Sequence, residues 1–159
     1  MTNMTTMDII KKYIPLGVIA LVVLVVAVLY FFPPNGRMVC ELNSAPGNMT
    51  STSTYVVDYS FWRVKFLKVT ETVHSNNDED LIVYRQALEE DLEKYKGLEY
   101  YDTKVEVDNR TLVNTITIDY KNIDRNKLKE IEKGFSNKLT RIRYLKNIYL
   151  KNGAICKNV

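Results

Sequence analysis

No charged residue occurs between Lys12 and Arg37, and the stretch from Ile14 to Phe32 reads IPLGVIALVVLVVAVLYFF. As a helix, such a run is long enough to cross the ~30 Å hydrocarbon layer of a bilayer. It predicts one N-terminal transmembrane helix over residues 13–33, with a cytoplasmic tail at 1–12 before it and an extracytoplasmic domain at 34–159 after it. The orientation follows from Lys11, Lys12 and the α-amino group, because positive flanks resist translocation. Tyr13, Tyr30, Phe31 and Phe32 suit the two interfaces, where amphipathic rings settle. A cleaved signal peptide also has a basic start and an apolar core. This core is longer than a usual one, however, and Tyr30 to Pro34 stand where small residues would be needed, so a retained anchor is expected. The expected location is the cell membrane, single-pass, with the bilayer contacted through residues 14–32.

The remaining chain, about 125 residues, suffices for one compact domain. Lys, Asn, Ile and Tyr are abundant while Gly, Pro and Ala are scarce, a bias that reads as low-GC bacterial coding. The formal charge is only +3, but it is unevenly spread: residues 71–120 hold 13 acids against 5 bases, whereas residues 121–159 hold 11 bases against 3 acids. The simplest expectation is that the two segments face each other or mix on the folded surface, with the acids of 78–93 partly matching the bases of 121–157. The other is a basic face toward an anionic bilayer or an anionic envelope polymer. Nucleic acid is not expected as a partner outside the cytoplasm.

Met38 to Leu42 reads as a short strand, and Asn43 to Ser53, with Pro46, Gly47 and many hydroxyls, as a loop. Thr52–Tyr59 and Val64–Val73, joined at Ser60-Phe61-Trp62-Arg63, read as an antiparallel hairpin. Capping signals at Ser75 to Asp78 open a helix in which Leu81, Tyr84, Leu88, Leu92 and Tyr95 fall on one stripe, and Gly97 closes it. Tyr100–Val107 and Thr111–Tyr120 form a second hairpin across Asp108-Asn109. Asp124 caps a helix with Leu128, Ile131 and Phe135 inward, and a last helix over about 140–152 carries Ile142, Leu145, Ile148 and Tyr149. Ala154-Ile155-Cys156 closes as a strand. This order predicts an α+β fold, an antiparallel sheet with helices packed on one face.

Cys40 and Cys156, near opposite ends of the outside domain, can bridge if the terminal strands are neighbours, in a compartment that permits it; two buried thiols are the alternative. Lipidation of Cys40 is disfavoured by Asn35, Gly36 and Arg37 in front of it. His74 is the single histidine and excludes multi-histidine metal sites, so no metal and no cofactor is expected. Glu89 and Glu93, one helical turn apart, read as a solvated helix face. No Gly-rich phosphate loop, nucleophile elbow or zinc spacing is present. The tyrosines Tyr55, Tyr59, Tyr84, Tyr95, Tyr100, Tyr101, Tyr120, Tyr144 and Tyr149 offer a surface for peptide or glycan, or else the rim of a core. Asn48 and Asn109 open Asn-x-Thr triplets that matter only in a eukaryotic cell.

Ser53-Thr54-Tyr55, Val64, Val69-Thr70-Glu71-Thr72, Tyr95-Lys96-Gly97 and Val113 to Tyr120 occur in an order that resembles the YehR-like family of small bacterial lipoproteins, over roughly residues 38–133. The chain departs from that family in having an apolar span in place of a lipobox cysteine, and in its extra C-terminal helix and Cys156. The resemblance implies an extracytoplasmic α+β domain on a membrane tether and carries over no catalytic residue. The expected role is therefore a non-enzymatic binding or accessory protein of the cell envelope. The rivals are an envelope enzyme, which would need Asp58, Glu71 or Asp119 to converge in a cleft, and a structural subunit of a membrane complex. For the latter, Gly17, Ala20 and Ala27 are the span's only small residues and give little support.

Overall fold

The computed structural model describes residues 21–28, 35–45 and 47–159. Residues 21–28 are helical; the rest of the expected span, 14–20 and 29–32, lies outside the described residues. Among the described residues no helix is long and apolar enough to cross a membrane. The chain divides into two units at Pro34/Asn35, and the second, Asn35–Val159, holds the sheet.

The described residues of this second unit form six strands and three helices: β1 (Asn35–Ser44), β2 (Met49–Ser60), β3 (Arg63–Ser75), α1 (Asp78–Glu93), β4 (Tyr101–Asp108), β5 (Thr111–Asp119), α2 (Arg125–Ile131), α3 (Ile142–Lys151) and β6 (Ile155–Asn158). The strands form one antiparallel sheet in the order β4-β5-β3-β2-β1-β6, so the last strand of the chain lies beside the first. The class is α+β, as the sequence predicts.

Register sorts the side chains onto two faces, because alternate residues of a strand point to opposite sides. Met38 lies opposite Val57, Val57 opposite Leu67, and Leu67 opposite Ile118. These four pack in one cluster with Leu92, Leu128, Ile142, Leu145 and Tyr149 from the helices. The helices thus share one face of the sheet. The other face carries Thr50, Thr52, Thr54, Thr70, Thr72, Thr111, Thr115 and Thr117 at alternate positions, the composition expected of a β surface that meets water.

The helices start where their caps dictate. Asn77 Oδ1 accepts from Glu79 N–H at 3.1 Å, and Asp124 Oδ1 from Asn126 N–H at 2.9 Å and Lys127 N–H at 3.2 Å. Two expectations need correction. The segment Asn43 to Ser53 is mostly strand: β1 runs to Ser44 and β2 starts at Met49, because the threonines and serines that suggest a loop also pair well in a ladder. The second helix stops at Ile131, so Phe135 lies beyond it and reaches the core from the following turn instead. Within the acidic segment Glu89 pairs with Arg85, Asp91 with Lys94, Glu93 with Lys96 and Asp78 with Arg110, and Lys94 also lies 3.5 Å from Glu132 of the basic segment.

Candidate functional site

Two features on the helix-covered face carry polar chemistry. The first lies under α1. Glu71 of β3 occupies a position that the alternation Leu67, Val69, Val73 assigns to the core face, opposite Ser53 on β2 and Asn114 on β5. Its Oε1 accepts from the Tyr84 hydroxyl at 2.9 Å and from Ser51 Oγ at 3.2 Å. Burial, followed by the neighbouring Glu71 carboxylate, pushes the Tyr84 phenol up to about 12. Asn114 is 3 % exposed, and its Oδ1 finds no hydrogen-bond partner among the described residues. A buried amide oxygen in that condition loses the hydration it had in the unfolded chain, at a cost of ~1–3 kcal/mol.

The second feature is a groove between the end of α1, edge strand β4 and α2, and none of the Glu71 cluster lines it. Its floor is the stacked pair Tyr95 and Tyr101, with ring centroids 4.2 Å apart and planes 9° from parallel. On one side opens a cleft of about 500 Å³ walled by Leu92, Gly97, Thr103 and Val105 with Glu89, Glu93 and Lys96 at its rim. On the other opens one of about 340 Å³ walled by Ile118, Tyr120, Leu128, Phe135 and Leu139. Both clefts share Tyr95 and Tyr101. The Tyr95 hydroxyl donates to Glu132 Oε1, and Lys94 Nζ lies 5.1 Å from the Tyr95 ring centroid. Burial holds Tyr120 up at about 12 and raises Tyr101 further, Tyr120 and Asp91 adding to the effect on the latter. At neutral pH these phenols keep their protons, Tyr95 and Tyr120 are each 8 % exposed, and the carboxylates of Glu89, Glu93 and Glu132 also line the clefts.

The residues singled out by sequence fall into place around these features. Cys40 and Cys156 are bonded to each other. Asp58, Glu71 and Asp119 do not converge: Asp58 and Asp119 lie on the threonine face on either side of Phe66, while Glu71 lies on the helix face. Asp58 is held by Arg37, at 2.6 Å and 2.9 Å. Asp119 accepts from Lys121 N–H and from the Asn122 side chain, closing the turn after β5. Glu89 and Glu93 are committed to Arg85 and Lys96, and among the described residues no group of three or more His, Cys, Asp or Glu side chains could hold a metal ion. His74 is exposed, 3.3 Å from the Thr111 hydroxyl. The tyrosines are chiefly core: Tyr55 stacks on Tyr149 and Tyr120 on Phe135, while Tyr100 and Tyr144 are exposed.

No family model matches the chain, and no curated protein matches it. Among solved structures it is similar to that of a protein from Streptococcus pneumoniae TIGR4, with a TM-score of 0.54 and 15 % identity over 77 % of this chain and 85 % of that one. It is also similar to that of Escherichia coli YehR, with a TM-score of 0.51 and 18 % identity over 79 % of this chain and 92 % of that one. At these identities the likeness establishes a YehR-like fold.

A third feature escapes sequence reading. The β2–β3 turn places Phe61 at φ +48° and Trp62 at φ +61°. Two positive φ values mark a two-residue turn of the primed kind, which favours Asn-Gly because bulky residues are strained there. The strain, of order 1–3 kcal/mol per residue, is held in place by neighbours. Ile142 N–H donates to Trp62 C=O at 2.9 Å, Val64 N–H donates to Thr140 C=O at 2.8 Å, and Arg63 bridges Arg141.

Proposed function

We propose that this chain is a single-pass membrane protein whose residues 34–159 lie outside the cytoplasm and bind a partner or ligand of the bacterial envelope, in an accessory rather than an enzymatic role. The uncharged run before Arg37 supports the anchor, and the flanking Lys11 and Lys12 support the orientation. The binding reading rests on one observation, the stacked Tyr95–Tyr101 floor shared by two open clefts. Aromatic faces with hydroxyl tips suit a peptide side chain or a sugar ring, since each gives apolar contact with a polar handle. Glu93, Lys96 and Glu132 at the margins give such a ligand polar contacts without placing an unpaired charge in the floor.

The experiment is site-specific photo-cross-linking of the full chain in its own cells. A photoreactive side chain in place of Thr103, on the groove wall, should yield a discrete adduct, whereas one in place of Thr52 on the threonine face should not. An adduct that is absent at 103, or equal at both positions, would overturn the groove as the binding element.

A further inference from the structure

The β2–β3 turn lies at the end of the sheet where the domain begins, since Asn35, its first residue, pairs with Ser60. Immediately before Asn35 the sequence is the uncharged run that ends in Tyr30-Phe31-Phe32-Pro33-Pro34. At this end the domain does not bury its aromatic residues: Phe61 is 69 % exposed and Trp62 38 %. Around them stand Arg63, Arg141 and Arg143, which with Phe61 and Trp62 line a shallow cleft of about 260 Å³.

We propose that this tip is a lipid-contact foot, in which Phe61 and Trp62 enter the headgroup region of an anionic bilayer while Arg63, Arg141 and Arg143 engage lipid phosphates. Four observations carry it. Phe61 and Trp62 are exposed on a strained turn that the 140–142 backbone holds in place, and such held strain clusters at binding sites. Trp is the side chain most at home at the membrane–water interface. Guanidinium groups bind phosphate bidentately, and each basic residue near an anionic leaflet adds attraction. Finally, the foot lies at the end of the sheet where Asn35 begins the domain, the end joined in sequence to the uncharged run. An anionic polymer would be met by the arginines equally well, but it gives Phe61 and Trp62 no apolar phase to enter. The proposal rests on the anchored reading for its geometry, and the test separates the two.

Trp62 is the chain's single tryptophan, so its emission reports on the foot alone. Full chain is reconstituted with liposomes of phosphatidylcholine, with or without phosphatidylglycerol, prepared with and without lipids brominated near the headgroup. In anionic liposomes, brominated lipid should quench roughly half or more of the Trp62 emission, as for a ring seated at the interface. The variant Arg141→Gln/Arg143→Gln, its fold checked by circular dichroism, should bring that quenching down to the level in neutral liposomes. Protein that floats with the liposomes yet keeps Trp62 unquenched and open to aqueous iodide overturns the foot and leaves the anchor standing. Protein that fails to float with neutral liposomes, but whose Trp62 is quenched in anionic ones, supports the foot and overturns the anchor. A Trp62 response to soluble polyglycerol phosphate without quenching by brominated lipid overturns the lipid assignment in favour of the polymer.

Discussion

Cys40 and Cys156 stand directly opposite each other in the β1–β6 ladder, with Cα atoms 4.0 Å apart. They form a pair that exchanges no backbone hydrogen bonds. Val159 N–H donates to Arg37 C=O at 2.9 Å, which makes 37/159 a hydrogen-bonded pair, and the pair types alternate along an antiparallel ladder. The narrow pairs bring opposed side chains closest, and so they suit a cross-strand bridge. β6 has only four residues and pairs with β1 alone, at the edge of the sheet.

The bridge joins residues 116 positions apart, a loop worth about 4–5 kcal/mol in the chain-entropy account. Oxidised full-length protein should show no free thiol after denaturation. Cys156→Ser should lower the unfolding free energy by about 2–5 kcal/mol and release the 155–158 amides to fast hydrogen exchange. Two titratable thiols in the denatured protein would contradict the pairing.

Asn114 and Glu71 are neighbours in register, yet substitutions there should act in opposite directions. Asn114→Leu replaces an amide whose oxygen lacks a partner by an apolar group of similar size, and should raise the stability to urea by about 1 kcal/mol. Glu71→Leu strands the Tyr84 and Ser51 hydroxyls and should lower it by about 1–3 kcal/mol. A loss of stability in Asn114→Leu would mean that the amide has a partner in solution.

These two residues show how far the sequence was legible. Alternation read correctly along β3 and β5 because one face of each strand is buried, and the two hairpins follow from strand runs interrupted by turns. Glu71 and Asn114 were the visible breaks in that alternation, Glu71 between Val69 and Val73 and Asn114 between Leu112 and Ile116, and they mark the buried polar cluster. What periodicity does not contain is pairing between distant strands. It leaves open which face Asp58 and Asp119 share, and it cannot show that the residues flanking Gly97 build one groove with 118–135. The Phe61-Trp62 turn was legible as a turn but not as a strained one, because its conformation is imposed by the 140–142 backbone rather than by its own residue types.

Gly36 lies opposite Tyr59 in the β1–β2 ladder, and the ring of Tyr59 covers it. A Cβ at position 36 would come within 2.6 Å of the Tyr59 hydroxyl oxygen and 2.8 Å of its Cζ. Tyr59 is itself 9 % exposed, so its ring has little room to turn. Gly36→Ala should therefore destabilise by about 1–3 kcal/mol, the usual scale for overpacking, and Gly36→Ala with Tyr59→Phe should recover part of the loss. An unchanged denaturation midpoint in the single variant would show that the ring swings clear.

The proposed orientation predicts the outcome of protease treatment of spheroplasts. An epitope after Val159 should be removed and one before Met7 protected, because Lys11 and Lys12 hold the N-terminus inside. Protection of the C-terminal epitope would reverse the topology. Loss of both from the membrane fraction after carbonate extraction would remove the anchor altogether.

Four phenols should resist ionisation. Tyr84 and Tyr120 are pushed up to about 12, and Tyr101 and Tyr149 lie higher still, burial being the leading cause in each. Each binds its proton more tightly in the folded chain than in the unfolded one, where the ordinary value is 10.0. Their contribution to stability is thus whole below pH 10.0 and is lost as the pH rises from there through the folded values, so the protein should weaken steadily on the alkaline side. A spectrophotometric titration should find at least four of the eleven tyrosines ionising late, and in denaturant that late fraction should merge with the rest. Glu71→Gln should bring one of the four, Tyr84, back toward its ordinary range, since the carboxylate adds to the effect of burial there. A folded protein whose tyrosines all titrate together near 10.0 would show that the rings flooring the groove are open to water.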